Sequence, residues 1–570
     1  MMNTRTAATL SAAFIAAVVT STAAAADLLV HNVSGYTLDG AGELRRFEAL
    51  LARDGKVLAT GSQEKLGAQA RSATKLDGQG KVLLPGLTDA HGHIMNLGYS
   101  RTQVDLAGTR SLAQAQQRVR AFAKANPQAQ WLRGRGWNQV IWGLDRFPTA
   151  AELDEVVRDR PVWLKRVDGH AGWANSQVLK LAGITRDTQA PEGGRIERDA
   201  KGNPTGVLVD AAMDLVDTIV PKPTREESEA ALDAALRELA SVGLTSVHDA
   251  GIDAGTFAIY KAYAEAGKLS LRINAMIGGA GEDFDAIVKQ DPRPDDGSGF
   301  LSVRSVKLYA DGALGSRGAA LLAPYSDDPG NRGLLFQSDK DLGAQIDKAL
   351  SRGFQVCVHA IGDAGNRQAL DAFARVSVAP KGAPTSARVG APLGATGNPR
   401  HRIEHAQVVT LADIPRFRQL GIIASMQPTH ATSDMNMAQP RVGPERIKGA
   451  YAWRRFLRAG VRVAAGSDFP VESPNPFWGL HAAVTRQDHQ NLPPGGWYPD
   501  QAMTVKEALR AFTLDAAYAG HQEKHLGTLE PGKQADFILV DRDIFTADPQ
   551  TLWQTKVLET WVAGRRVYPL

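Results

Sequence analysis

The stretch Gly86-Leu87-Thr88-Asp89-Ala90-His91-Gly92-His93 reads as a buried strand that ends in ligand-type side chains. Alternate side chains of a strand share one face, so Asp89, His91 and His93 point the same way. Two imidazoles at that spacing on one strand can bind a divalent metal. Alone, His-x-His is a weak motif, and a pair of satisfied core histidines reads the same. Its weight depends on what the rest of the chain brings to it.

Outward from this strand, short β-type runs recur at 244–249, 271–277, 303–309, 354–360, 401–406, 422–427 and 461–468. Helix-like stretches such as 226–242 and 342–352 lie between them. Strands alternating with helices predict an α/β fold, and eight such units predict a TIM (β/α)8 barrel, here spanning 85–524. Residues 101–240 exceed any ordinary connection and carry a helix pattern at 112–126, a strand pattern at 161–167 and tryptophans at 131, 137, 142 and 163. They predict an inserted domain over the barrel mouth, acting as a lid or substrate wall. A second insertion, 377–399, is rich in Ala, Gly and Pro and reads as a surface loop. Short β runs near both termini predict one small β-sandwich built from 27–84 and 525–570.

Composition excludes other classes. With 43% hydrophobic and 22% charged residues over 570 positions, the chain is globular rather than disordered. Its 65 basic and 61 acidic residues leave a net charge of +4 with no long basic run, which argues against a nucleic-acid partner. The single cysteine, Cys357, permits no internal disulfide and reads as a small buried filler. Arg5, an apolar stretch at 10–19 and Ala23-Ala24-Ala25-Ala26 describe a signal peptide over 1–26. Cleavage after Ala26 predicts a periplasmic or secreted protein with no membrane contact once processed.

Ligand-type residues also end other strands: Lys307, His359, His405 and Asp468. Barrel active sites are built at strand C-termini. Each residue has a plainer reading: Lys307 as an ion-pair residue, His359 as a core histidine, Asp468 as a helix cap before Pro470. Their joint placement on the correct ends is much harder to reach by chance.

Taken in order, His91-x-His93, Lys307, His359, His405 and Asp468 resemble the amidohydrolase superfamily. More narrowly, several segments look like the YtcJ-type amidohydrolases, the group that includes N-substituted formamide deformylase. These are Asp168-Gly-His-Ala-Gly-Trp-Ala-Asn-Ser176, Lys307-Leu-Tyr-Ala-Asp-Gly-Ala-Leu-Gly-Ser-Arg317, His359-Ala-Ile-Gly-Asp363, Glu404-His-Ala-Gln407 and Gly466-Ser-Asp-Phe-Pro470. The C-terminal Gly527-Thr-Leu-Glu-Pro-Gly-Lys-Gln-Ala-Asp-Phe537 extends the likeness over nearly the whole mature chain.

The resemblance implies a site of two divalent metals, most simply Zn²⁺. His91, His93 and Asp468 would hold one, His359 and His405 the other, and a carboxylated Lys307 would bridge them. A plain ammonium cannot ligate a metal, whereas a carbamate can. It further implies hydrolysis of the C–N bond of a small N-acyl or N-formyl amine by a metal-held hydroxide, with Asp468 moving the proton. His170 is expected to hydrogen-bond the substrate carbonyl, and Asp311 to orient a ligand. Arg317 or Arg486 could bind an anionic substrate group, and Trp137, Trp142 and Trp173 could line an apolar pocket or equally form the core of a small lid. A homodimer is common among such enzymes. Three alternatives stay open: a mononuclear deaminase, although Gly362 stands where such enzymes carry glutamate; a lactonase; and a non-catalytic binding barrel. A glycosidase would need paired carboxylates at the strand ends, which carry histidines instead.

Overall fold

Eight parallel strands pair in sequence order, each with its successor, as right-handed βα units require. The computed structural model describes residues 27–191, 193–290, 299–377 and 400–570. The expected signal peptide, 1–26, lies outside the described residues, as does nearly all of the expected surface loop at 377–399. The barrel strands are β1 (Leu87–Gly92), β2 (Leu244–Ile252), β3 (Arg272–Gly278), β4 (Leu301–Tyr309), β5 (Gln355–Ala360), β6 (Arg402–His405), β7 (Ile423–Met426) and β8 (Val463–Ala465). The ring closes just past the strand ends. His93 donates its backbone N–H to Phe469 O at 2.8 Å, and Asp468 donates to His91 O at 2.7 Å. Asp89 reinforces this seam, accepting from the hydroxyl of Ser467 at 2.6 Å.

Helices cover the strands on both sides in sequence, so the strands are buried on both faces and read as nearly continuous apolar runs. The strands also bury polar side chains, and Arg402 gathers several of them inside the barrel. The Arg402 guanidinium reaches Glu404 Oε1 at 2.7 Å, Ala90 O at 2.6 Å, His248 Nδ1 at 2.8 Å and Ser425 Oγ at 2.9 Å. Arg402 and Glu404 are two apart on β6 and both point to the axis, where they form a fully buried ion pair.

Between β1 and β2 the chain builds a six-stranded mixed sheet. Its order is Gly194–Arg198, Pro204–Asp210, Ala171–Ala174, Val162–Arg166, Leu132–Trp137 and Val104–Asp105. An apolar layer covers each face, one centred on Trp137 and Trp173, the other on Trp163. The ion pair from Arg133 to Glu227 at 2.9 Å tethers it to the barrel helix Arg225–Ser241, and Arg101 of the preceding helix Ile94–Thr102 meets Glu238 of the same helix at 2.6 Å.

The two chain ends meet in one sheet. Phe537–Val540 pairs antiparallel with Val82–Pro85, Phe537 opposite Pro85. This six-stranded sheet stacks on a four-stranded one containing Leu28–His31, with Val30, Leu50, Leu83 and Phe537 between them. Arg272 on β3 ties the sandwich to the barrel through Asp536, at 2.7 and 3.0 Å. Among the described residues no helix is long and apolar enough to cross a membrane.

Candidate metal centre

The C-terminal ends of β1, β4, β5, β6 and β8 converge. His91 lies in β1, and His93 follows it at the start of helix Ile94–Thr102. Lys307 lies in β4, His359 in β5 and His405 closes β6. Asp468 follows β8. Two of these break strand geometry: His405 has φ of 72° and Asp468 of 60°. Side chains rarely adopt this left-handed region, in which Asn, Asp and His are the most frequent residues after glycine. The turn at His405 lets it join the site although strand parity sets it opposite to Glu404.

The distances describe a tight cluster. Ligand atoms of His91, His405 and Asp468 all lie within 4.8 Å of one another. Asp468 Oδ1 is 3.0 Å from His93 Nε2 and 3.6 Å from His91 Nε2. The His405 ring centre is 4.9 Å from that of His91 and 4.5 Å from that of His359. Lys307 Nζ lies 3.2 Å from His91 Nε2. Two imidazoles are oriented from behind: His91 Nδ1 meets Glu404 Oε2 at 2.5 Å and His405 Nδ1 meets Gln427 Oε1 at 2.9 Å. Each keeps its Nε2 for the centre, the arrangement that orients metal-bound histidines.

The electrostatics suit a cation. Burial, with the Lys307 charge beside it, lowers the His91 imidazole to about 4. Burial also holds His359 and His405 well below the usual histidine range. All three are therefore neutral at pH 7, the form that ligates. Burial by itself would raise the Asp468 carboxyl, but the surrounding His93, His91 and His405 hold it well below the usual carboxylate range. Buried Asp468 Oδ1 receives no hydrogen bond of good geometry. Neutral imidazoles, an anionic carboxylate and an orphaned buried oxygen fit a divalent ion.

Other expected residues have different surroundings. His170 bonds through Nδ1 to Asp210 at 2.9 Å, inside the inserted sheet. Asp311 is fully buried and accepts the backbone N–H groups of Ile361, Gly362 and Ala320 at 2.8–2.9 Å. It shapes the loop after β5, 3.9 Å from His359 Nε2, rather than facing open space. Arg317 is paired with Asp327 at 2.9 Å. Arg486 is wholly buried, spent on the carbonyls of Tyr451 and Trp497. Trp137 is also fully buried, its indole donating to Leu164 O at 2.7 Å. Its ring packs against Trp142 and Trp173, so the three form the core of the insertion instead of a pocket wall. Cys357 is buried, which pushes its thiol up to about 12 and leaves it inert.

Three neighbours escaped sequence reasoning. Glu404 and Arg402 are ordinary charged residues until the barrel axis brings them under His91. His430 sits in the first turn of helix Pro428–Arg446, 3.7 Å from Asp468 Oδ2. Pro428, right after a strand, marks a helix start at the mouth and was the available signal.

A parallel eight-stranded barrel with imidazoles, a carboxylate and a lysine at its C-terminal mouth defines the metal-dependent hydrolases of this fold. The match can be made narrower. The model of the amidohydrolase family matches residues 76–568, and the chain belongs to that family. It is 33% identical over 541 residues to YtcJ of Bacillus subtilis, named as an amidohydrolase, covering 94% of this chain and 98% of that one. It is 29% identical over 552 residues to the N-substituted formamide deformylase of Arthrobacter pascens, covering 94% and 97%. A crystal structure of an uncharacterized metal-dependent hydrolase from Pyrococcus horikoshii superposes with a TM-score of 0.75 at 27% identity, covering 92% of this chain and 99% of that one. The protein is an enzyme, a hydrolase acting on carbon–nitrogen bonds other than peptide bonds.

Proposed function

We propose that the enzyme hydrolyses the amide bond of a small N-acyl or N-formyl amine at a binuclear centre, most simply of zinc. The observation that carries this reading is the convergence of His91, His93, Lys307, His359, His405 and Asp468 on one barrel mouth. His91, His93 and Asp468 would hold one ion, and His359 and His405 the second. Lys307 is buried and, among the described residues, has no carboxylate at ion-pairing distance. A buried amine without a counter-charge favours the neutral form, whose nitrogen can add carbon dioxide and lose a proton; the resulting carbamate would offer the ions an anionic oxygen donor. The relative that removes a formyl group from an amine supports the substrate class.

A bound divalent ion lowers the pKa of water from about 15.7 toward about 7 and polarises a carbonyl. The chain supplies the rest. Glu404 and Gln427 fix the His91 and His405 rings. Asp468 accepts a proton from the attacking water and returns it to the departing nitrogen, so that the C–N bond breaks as a C–O bond forms. The deaminase reading loses support because the side chain after Gly362, Asp363, is engaged by the backbone N–H of Leu322 at 2.8 Å.

The test is metal content per chain by plasma mass spectrometry, with Lys307→Ala alongside. About two ions per chain, falling on loss of Lys307, is the expected result. A single ion insensitive to Lys307 would remove the bridge and favour deamination. No ion after reconstitution would overturn the binuclear reading.

A further inference from the structure

His430 stands in the first turn of helix Pro428–Arg446, with only 9% of its surface exposed. Its backbone N–H donates to Gln427 O at 3.1 Å, and the Gln427 side chain orients His405, so one short segment fixes both rings. The rings of Tyr309, His359, His405 and His430 follow one another across the barrel mouth, their centres 5.3, 4.5 and 5.8 Å apart. His359 and His405, the inner pair, are expected ligands. His430 is an outer member, one ring beyond them.

Nε2 of His430 is buried and makes no hydrogen bond. Its nearest carboxylate oxygen is Asp468 Oδ2 at 3.7 Å, beyond hydrogen-bond range. Asp468 divides its two oxygens. Oδ1 faces His93 and His91 at 3.0 and 3.6 Å, and Oδ2 faces His430. The hydrogen of the imidazole is assigned to Nε2, because a lone pair there would face the carboxylate. A buried donor without an acceptor is costly, and beside a reactive carboxylate it marks a bond that an incoming molecule completes. A water that gives its proton to Oδ2 attacks a carbonyl carbon beside it. The carbonyl oxygen then lies one atom further on, within reach of Nε2.

We propose that His430 is a catalytic residue, donating Nε2–H to the carbonyl oxygen of the scissile amide as that oxygen becomes negative. This rests on the amide-hydrolase reading above. As the water oxygen forms the new C–O bond, its proton passes to Asp468 and the carbonyl π pair moves onto oxygen. His430 bonds that oxygen without giving up its own proton. The pair then returns, the C–N bond breaks, and Asp468 hands the proton to the departing nitrogen. His170, which the sequence offered for this task, is instead bonded to Asp210 in the inserted sheet.

The experiment compares His430→Gln, which keeps an N–H donor, with His430→Leu, which fills the space without one. Both are metal-loaded and assayed on N-formylbutylamine and N-acetylbutylamine. His430→Leu is expected to lower kcat by on the order of 10²-fold with KM within about threefold, and His430→Gln to recover at least about tenfold of that loss. Metal content per chain should match the native protein in both. Equal kcat in the two variants, or loss of metal from either, would overturn the proposal. If the native enzyme hydrolyses neither amide, the amide reading is at fault, and calorimetry with methylphosphonate, a tetrahedral anion, decides the role of His430. Binding weakened about tenfold by His430→Leu but not by His430→Gln would uphold the donor. Binding equal in all three proteins, or absent from the native one, would end it. Thermal melts control for folding. Should His430→Leu not fold, ¹⁵N-histidine spectra replace it: the Nε2–H signal missing from His430→Gln should move downfield when methylphosphonate is added to the native protein. An unmoved signal would overturn the proposal.

Discussion

Asp468 concentrates the chemistry in one side chain. It closes the barrel through its backbone N–H to His91 O at 2.7 Å and turns its carboxylate to the imidazoles by adopting φ of 60°. Asn has the same shape and tolerates that backbone at least as well, but it is a poor proton acceptor and a weaker ligand. Asp468→Asn is therefore expected to lower kcat by at least about 10²-fold while moving the melting temperature by only a few degrees. Steady-state kinetics beside a thermal melt checks this, and near-native turnover would remove Asp468 from the proton path. At the same scale, Glu404 shows how a buried charge is kept useful. Arg402 and His91 share it, and they hold its carboxyl well below the usual range against the opposing effect of burial.

Helices that face the outer shell are held by caps and ion pairs far from the chemistry. Thr504 and Glu507 form a reciprocal capping box at the start of helix Val505–Ala511. Glu507 also receives two bonds from Arg454, both at 2.7 Å, which join this helix to Trp453–Arg458. Burial would raise the Glu507 carboxyl, but the Arg454 and Thr504 hydrogen bonds outweigh it and lower it to about 2. A carboxyl depressed on folding adds stability that is present above the unfolded pKa of about 4.3 and disappears as pH falls through the folded value. Glu507→Gln should thus lower the melting temperature at pH 7, and the gap to the native protein should narrow between pH 4.5 and about 2. Melting curves across that range provide the check; a gap independent of pH would mean the charge contributes nothing.

For the molecule as a whole, the question is how a barrel, an inserted sheet and a sandwich made from both chain ends act together. Arg272–Asp536 is one answer. It is a two-pronged ion pair with only 1% and 8% of its side chains exposed, joining β3 to the C-terminal segment. Removing one member leaves the other charge buried, at a cost of about 3–5 kcal/mol. Asp536→Asn is expected to lower the denaturant midpoint accordingly, whereas a paired Arg272→Met, Asp536→Leu change should recover much of the loss. Chemical denaturation of the three variants tests this, and an undisturbed single variant would show that the sandwich needs no such tie.

Much of this architecture was legible before any coordinates. Periodicity alone gave eight strands, because strands buried on both faces need long apolar runs and the helices between them need one apolar stripe. His91, His93, Lys307, His359, His405 and Asp468 each have a plainer reading alone, and they stood out because their joint placement on strand ends is hard to reach by chance. The pairing of Val82–Pro85 with Phe537–Val540 was foreseeable in kind, since lone edge strands at two termini need partners. Side-chain environment was not legible. Trp137 reads in sequence equally as a pocket wall or as core of the inserted domain, and packing against Trp142 and Trp173 decides for core. Arg317 and Arg486 are the same residue type, and sequence cannot say that one finds a carboxylate and the other backbone carbonyls. Asp327 is ten positions from Arg317 and Tyr451 is 35 from Arg486, yet the loops between them must fold before either pair can meet, and the placing of Glu404 behind His91 spans 313 residues. Local pattern determines strands, helices and their order, because those forces act between near neighbours. Which charges are satisfied and which remain open to a substrate is decided only when the chain has closed on itself.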